Sequence, residues 1–158
     1  MEKKDLKPAG VFKYFEEICQ VPRPSKKEEK MIAYLKAFGA KHNLETKVDE
    51  AGNVLIKKPA TPGKENLQTV VLQSHIDMVC EKNNDVQHDF LTDPIETEID
   101  GEWLKAKGTT LGADNGIGVA TELAILADDS IEHGPIECLF TVDEETGLTG
   151  AFALKEGF

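Results

Sequence analysis

His75 and Asp77 form a polar pair directly after a short apolar run at residues 69–74. Because side chains alternate along a strand, His75 and Asp77 should project to the same face. A carboxylate in that position can orient or polarise the imidazole, as the supporting partner of a metal-bound histidine does. The alternative is a strand-end histidine beside a solvated aspartate, since isolated polar pairs are common on surfaces.

Asp114 lies in a glycine-rich segment, residues 108–118, just before an apolar helical pattern. Gly112, Gly116 and Gly118 allow close approach of the backbone and unusual dihedral angles around Asp114. A glycine-rich turn in which Asp114 caps the following helix explains the segment at least as well. The glycine spacing matches neither the P-loop nor the dinucleotide-binding motif, so a phosphate loop is excluded.

Three adjacent carboxylates, Asp143, Glu144 and Glu145, follow a second apolar run at residues 136–142. They repel one another and resist burial unless cations or protons compensate, although a solvated acidic turn remains an alternative. In α/β sheets, ligands bind where the strands end. One histidine with several carboxylates at such ends is a donor set for divalent ions, and zinc accepts nitrogen and oxygen together.

The elements that must position these residues alternate along the chain. Apolar residues at helical spacing predict four helices. Two lie at residues 11–18 and 115–127, one begins with Ser25 as its capping residue, and the last begins at Gly150. Apolar or alternating runs predict strands at residues 69–74 and 136–142 and hairpins at residues 46–57 and 95–104. This order predicts an α/β fold with a mainly parallel mixed sheet flanked by helices.

Composition narrows the class of protein. The 158 residues are 40% hydrophobic, enough for a buried core, and they contain no repeat or linker that would mark a second unit. A net charge of −11 would repel nucleic acid and anionic membranes alike, so neither is expected as a partner. The charged amino terminus is not followed by the apolar region of a signal peptide. The three cysteines are far apart in the sequence, which does not suggest a disulfide framework and fits reduced cysteines in a cytoplasm. We therefore expect a soluble cytoplasmic protein.

Three strings resemble the co-catalytic zinc peptidases related to carboxypeptidase G and aminoacylase. They are Ser-His-Ile-Asp-Met-Val from Ser74, Gly-Thr-Thr-Leu-Gly-Ala-Asp-Asn-Gly-Ile-Gly from Gly108, and Asp-Glu-Glu-Thr-Gly from Asp143. More narrowly, the chain is similar to the aminoacyl-histidine dipeptidases of the peptidase D type, through His88-Asp-Phe, Asp100-Gly-Glu-Trp and His133-Gly-Pro-Ile-Glu as well. The similarity covers essentially the whole chain.

The resemblance implies a role for each matching residue. His75 resembles the ligand of one zinc ion, Glu145 the ligand of a second, and Asp114 the carboxylate that bridges them. Asp77 matches the residue that supports His75, and Glu144 matches the general base. Two Zn²⁺ ions are implied for the complete site, with Co²⁺ or Mn²⁺ as substitutes. The family also implies a cis peptide bond after Asp114.

The function implied is a dinuclear zinc dipeptidase that hydrolyses unblocked dipeptides, preferentially Xaa-His, through a metal-bridging water activated by a glutamate base. The substrate would be a small peptide, and the complete protein would be a homodimer. A zinc aminoacylase or tripeptidase with the same metals is an alternative within the enzyme class. A segment that keeps the fold without catalysis is an alternative outside it.

Residues 1–158 do not contain every feature of the family pattern. The family takes one further carboxylate and one further histidine ligand, and a lid domain, from positions beyond residue 158. Residues 1–158 therefore resemble the amino-terminal part of the catalytic domain. A catalytic zinc usually has three protein ligands, and this chain offers two per ion, so we expect weak zinc binding and no peptidase activity from this segment alone.

Overall fold

The computed structural model describes residues 2–158. A short 3-10 helix, Lys3–Asp5, precedes ten elements, which are α1 Ala9–Cys19, α2 Glu29–Lys41, β1 Glu45–Val48, β2 Val54–Lys58, β3 Val70–His75, β4 Thr97–Asp100, β5 Trp103–Ala106, α3 Ala113–Ala127, β6 Ile136–Thr141 and α4 Thr149–Ala153. Within these described residues, we find no helix with the length and apolar character needed to cross a membrane.

The main sheet has four strands in the order β1-β2-β6-β3, and β4 and β5 form a separate hairpin. The predicted α/β fold with a mixed sheet flanked by helices is confirmed. The share of parallel pairing is lower than expected, since β3–β6 is parallel while β1–β2 and β2–β6 are antiparallel. For β1–β2 the reason is the tight turn between them, because a connection this short can join only antiparallel strands.

The core lies between the helices and one face of the sheet. Val54 and Phe140 are register partners, and both are fully buried, as are Ile56 and Cys138 two pairs further along. Helix α3 packs against both α1 and β3. This packing fixes the start of α3 beside the end of β3, which is where the predicted functional residues lie.

Strand β3 differs from the buried strand that its apolar sequence predicts. Val70 and Val71 are more than half exposed, whereas Ser74 and His75 are buried. Among the described strands, β3 pairs with β6 alone and so forms the edge of the sheet. The apolar run therefore becomes enclosed only toward its carboxyl end.

Two helix boundaries also differ from the predictions. Helix α2 begins at Glu29 instead of following Ser25, because Lys26 has a left-handed φ of 67° that interrupts a helix. The Ser25 hydroxyl therefore caps no helix. The last helix, α4, was predicted to begin at Gly150 and begins at Thr149; it ends at Ala153, where Leu154 has a non-helical ψ of 132°.

Candidate metal centre

The three polar segments meet at one end of the sheet. His75, the last residue of β3, is the register partner of Thr141, the last residue of β6, so the segments that follow these two parallel strands emerge side by side. The backbone N–H groups of Glu144 and Glu145 donate hydrogen bonds to the carboxylate of Asp77, at 3.0 and 3.2 Å. The acidic turn after β6 is thus fastened to the segment after β3.

His75 lies between carboxylates on both sides of its ring. Its Nδ1 is 3.3 Å from Asp77 Oδ1, and its Nε2 is 3.1 Å from Asp114 Oδ1 and 3.9 Å from Glu144 Oε2. Burial alone lowers the pKa of His75, but the hydrogen bonds to Asp77 and Asp114 and the charge of Glu144 outweigh it and raise the pKa to about 9. Nδ1 is directed at Asp77, whose backbone carbonyl oxygen lies 3.2 Å away beside the carboxylate, so Nε2 is the ring atom that faces the other acids.

Asp77 is fully buried and accepts hydrogen bonds from several elements. The Ser25 hydroxyl donates to its Oδ2 at 2.7 Å, in addition to the two N–H groups of the acidic turn. Burial raises the pKa of Asp77, but the hydrogen bonds from His75, Glu144, Ser25 and Glu145 hold it well below its usual range. Asp77 is therefore an ionised acceptor behind the imidazole, as its predicted supporting role requires.

His75, Asp114 and Glu145 each place one donor atom within 4.8 Å of the others. Imidazole nitrogen combined with carboxylate oxygen is a donor set that zinc accepts, and a histidine whose other nitrogen faces a carboxylate is the usual form of such a ligand. Burial and the charges of Glu144, Asp114 and Asp77 raise the pKa of Glu145, although His75 lowers it in part. A divalent cation fits this group because it offsets that negative charge.

Glu144 and Glu145 both reach the site because the chain leaves β geometry after Thr141. Asp143 has a left-handed φ of 49°, and Gly147 has a φ of 137°. This confirms the expectation that two adjacent glutamates can face one site only in an irregular turn. Glu145 belongs to the donor group, whereas Glu144 lies beside it, near His75 Nε2.

Asp114 directs its carboxylate to His75 and does not cap α3. Gly112, with a left-handed φ of 67°, occupies the cap position. Asp114 itself has non-helical angles, and its peptide bond to Asn115 is cis, as the resemblance implied. The alternative interpretation of Asp114 as a capping residue is therefore wrong. A cavity of about 480 Å³, lined in part by His75, Asp114 and Glu144, opens beside the group.

Sequence reasoning missed the contribution of the loop between α1 and α2. Arg23 and Glu28 are buried beneath the site, and the carboxylates of Glu28, Asp77 and Asp143 lie within 4.8 Å of one another. Glu28 Oε1 accepts a hydrogen bond from the backbone N–H of Asp143 at 2.9 Å. The one signal in the sequence was the position of Arg23, a charged residue between Pro22 and Pro24. By itself, this pattern does not distinguish a buried arginine from one in an exposed loop.

Comparison with known proteins gives consistent matches. The chain is 51% identical over 154 residues to the cytosol non-specific dipeptidase of Escherichia coli, covering 98% of this chain and 32% of that protein. The crystal structure of an aminoacylhistidine dipeptidase from Vibrio alginolyticus superposes with a TM-score of 0.96 at 55% identity, over 100% of this chain and 32% of that one. A tripeptidase from Staphylococcus aureus matches with a TM-score of 0.75 at 26% identity, over 92% of this chain and 39% of that one.

The chain thus spans about a third of the length of these relatives. The sequence model of peptidase family M20/M25/M40 matches residues 71–158, more than half of the chain and all three segments of the candidate site. By this match, the chain belongs to peptidase family M20/M25/M40.

Proposed function

We propose that His75, Asp114 and Glu145 hold two divalent ions, with Zn²⁺ as the preferred metal and Co²⁺ or Mn²⁺ as substitutes. His75 would bind one ion, Glu145 the other, and Asp114 both. The observation that carries this proposal is the placement of His75 Nε2, 3.1 Å from Asp114 Oδ1, with Asp77 behind the same ring. Such backing fixes the tautomer that leaves Nε2 free to bind a cation.

Peptide hydrolysis is the reaction that this arrangement supports. Two bound ions would polarise the scissile carbonyl and lower the pKa of the attacking water. Glu144, beside the donor group, takes the proton of that water and passes it to the leaving amine. Asp77 touches neither water nor peptide and acts as a positioning residue through His75.

Residues 1–158 would then form the amino-terminal part of a larger catalytic domain that supplies further ligands and a lid. The whole protein would act in the cytoplasm, as a homodimer, on small unblocked peptides. The names of the matched dipeptidases from Escherichia coli and Vibrio alginolyticus support dipeptides as the substrate class. For Xaa-His as the preferred substrate the support is the Vibrio alginolyticus name alone, since the Escherichia coli enzyme is named non-specific. For this segment alone we propose weak zinc binding without turnover.

The second candidate is a peptidase acting on a different peptide length, and the match to the Staphylococcus aureus tripeptidase favours it. The two candidates can be separated by an activity assay on a protein that contains these residues and has the full length of its relatives. The substrates are Xaa-His dipeptides, other dipeptides, tripeptides and N-acyl amino acids. Fastest cleavage of Xaa-His dipeptides is expected. Cleavage of tripeptides or N-acyl amino acids without that of free dipeptides would refute the dipeptidase proposal.

A further inference from the structure

Arg23 contacts two of the three segments that carry the proposed metal ligands. Its Nη1 donates to the carbonyl oxygens of Ile76 and Asp77 at 3.2 and 3.3 Å, and its Nη2 donates to the carbonyl of Gly112 at 2.7 Å. Ile76 and Asp77 directly follow His75, and Gly112 lies two residues before Asp114. One guanidinium thus spans the distance between the backbones of both segments.

The side chain is enclosed, so these bonds are not exchanged with water. Arg23 is 2% exposed, and it is the only arginine in the sequence. Its own carbonyl accepts a hydrogen bond from Met78 N–H at 3.1 Å, which anchors the loop to the same segment. A buried cation must be compensated, and here three carbonyl dipoles and the nearby charge of Asp77 provide that compensation.

The glycines of the segment before α3 make room for this guanidinium. A Cβ atom added to Gly112 would lie 2.6 Å from Arg23 Nη2, and one added to Gly116 would lie 2.7 Å from the same atom. Real Cβ contacts are not that short, so any larger residue at either position would push the guanidinium away. Two of the three glycines noted in the sequence, Gly112 and Gly116, therefore leave room for an arginine 89 positions before Gly112.

We propose that Arg23 is a positioning residue for metal binding, setting the distance between His75 and Asp114 by joining their backbones. The proposal rests on the proposed function, because it concerns the same metal ligands. A lysine at this position keeps the charge, but its single Nζ cannot reach both sets of carbonyls. Loss of supporting contacts of this kind lowers metal affinity by about 10–100-fold.

The test is titration of the 158-residue chain with Zn²⁺ in competition with a chromophoric chelator, for the wild type and Arg23→Lys. We expect Arg23→Lys to weaken zinc binding about tenfold or more. The matched control is Lys58→Met, because Lys58 is also a buried cation, and its Nζ donates to the carbonyls of Ile125 and Asp128 at the other end of α3. This control should lower the melting temperature and leave zinc affinity unchanged.

The outcomes separate the two proposals. Wild-type affinity in a folded Arg23→Lys variant would overturn the role of Arg23 alone. A wild-type chain that binds no zinc would contradict the weak zinc binding proposed for this segment, and the role of Arg23 with it. If Arg23→Lys does not fold, Gly116→Ala keeps the arginine and crowds its guanidinium; because the added Cβ would also lie 3.1 Å from Phe15 and 3.3 Å from Ile18, the melting temperature is measured beside the zinc affinity. Gly116→Ala too should weaken zinc binding, and unchanged affinity in the folded variant would contradict the proposal.

Discussion

The Nδ1 atom of His75 lies 3.3 Å from Oδ1 of Asp77, and both side chains are buried. The carboxylate of Asp77 also accepts hydrogen bonds from the backbone N–H groups of Glu144 and Glu145. One buried acid therefore orients the imidazole and holds the acidic turn at the same time. Its substitution should disturb both the proposed ligand and the proposed base.

Asp77→Asn should weaken zinc binding by about 10–100-fold, because the amide cannot serve as an ionised acceptor for Nδ1–H and for both backbone N–H groups. Zinc titration of the purified chain measures this change. Asp128→Asn is the matched control, since Asp128 Oδ1 accepts hydrogen bonds from the backbone N–H and the hydroxyl of Ser130, just after the end of α3 that lies opposite Asp114. Equal zinc affinity for both variants would argue against the supporting role of Asp77.

The two adjacent glutamates should respond differently to substitution by alanine in a protein of full family length. Glu144→Ala should retain its metal and lose about 10²–10⁴-fold in kcat, because it removes the proton-transferring group. Glu145→Ala should lose bound metal, and excess Zn²⁺ should restore part of its activity. Metal content by mass spectrometry, measured beside turnover, decides the roles. Metal loss in Glu144→Ala with full metal content in Glu145→Ala would reverse the assignment.

Residues 1–158 alone should bind Zn²⁺ weakly and cleave no dipeptide. His75 and Asp114 serve one ion, and Asp114 and Glu145 the other, so each has fewer than the three protein ligands of a usual catalytic zinc. The measurement is a dipeptidase assay on the zinc-loaded chain, with Glu144→Ala prepared in parallel to reveal a contaminating peptidase. Turnover by the wild type that is absent from the control would contradict this expectation.

Glu122 should make stability depend on pH. It is 3% exposed, its Oε2 has no hydrogen-bond partner among the described residues, and burial raises its pKa from 4.5 to about 8, although Ser74 and Cys138 offset part of the rise. Between these values the unfolded chain has released the proton that the folded chain retains. The free energy of unfolding therefore falls as pH rises through this window, by up to about 1.4 kcal/mol per pH unit.

Glu122→Gln removes this titration, so its stability relative to the wild type should increase by about 1–3 kcal/mol between pH 5.5 and 7.5. Urea denaturation of both proteins at the two pH values measures the difference. Comparing the change between pH values cancels the constant effect of the substitution itself. The same stability difference at both pH values would show that Glu122 titrates as an ordinary exposed carboxyl does.

Patterns along the chain predicted the α/β class, both hairpins and the three segments that form the candidate site. Local rules were sufficient for these features. Alternation along a strand predicts His75 and Asp77 on one face, and the two side chains do meet, although β3 itself ends at His75. Residues that follow parallel strands emerge at one edge. The resemblance added the cis bond after Asp114 and the separate roles of the two glutamates, of which the structure tests only the cis bond.

The contacts behind the site could not be predicted from these patterns, because they depend on how distant elements pack. The local sequence predicts Ser25 as a helix cap, yet its hydroxyl donates a hydrogen bond to Asp77, which lies 52 positions further along the chain. Arg23 joins the backbone that follows His75 to the backbone that precedes Asp114. Periodicity and capping rules describe neighbours along the chain, whereas these contacts form only when α1, β3 and α3 have packed together. The physical reason is burial, because enclosing a charge requires partners that the packed elements must supply, wherever they lie in the sequence.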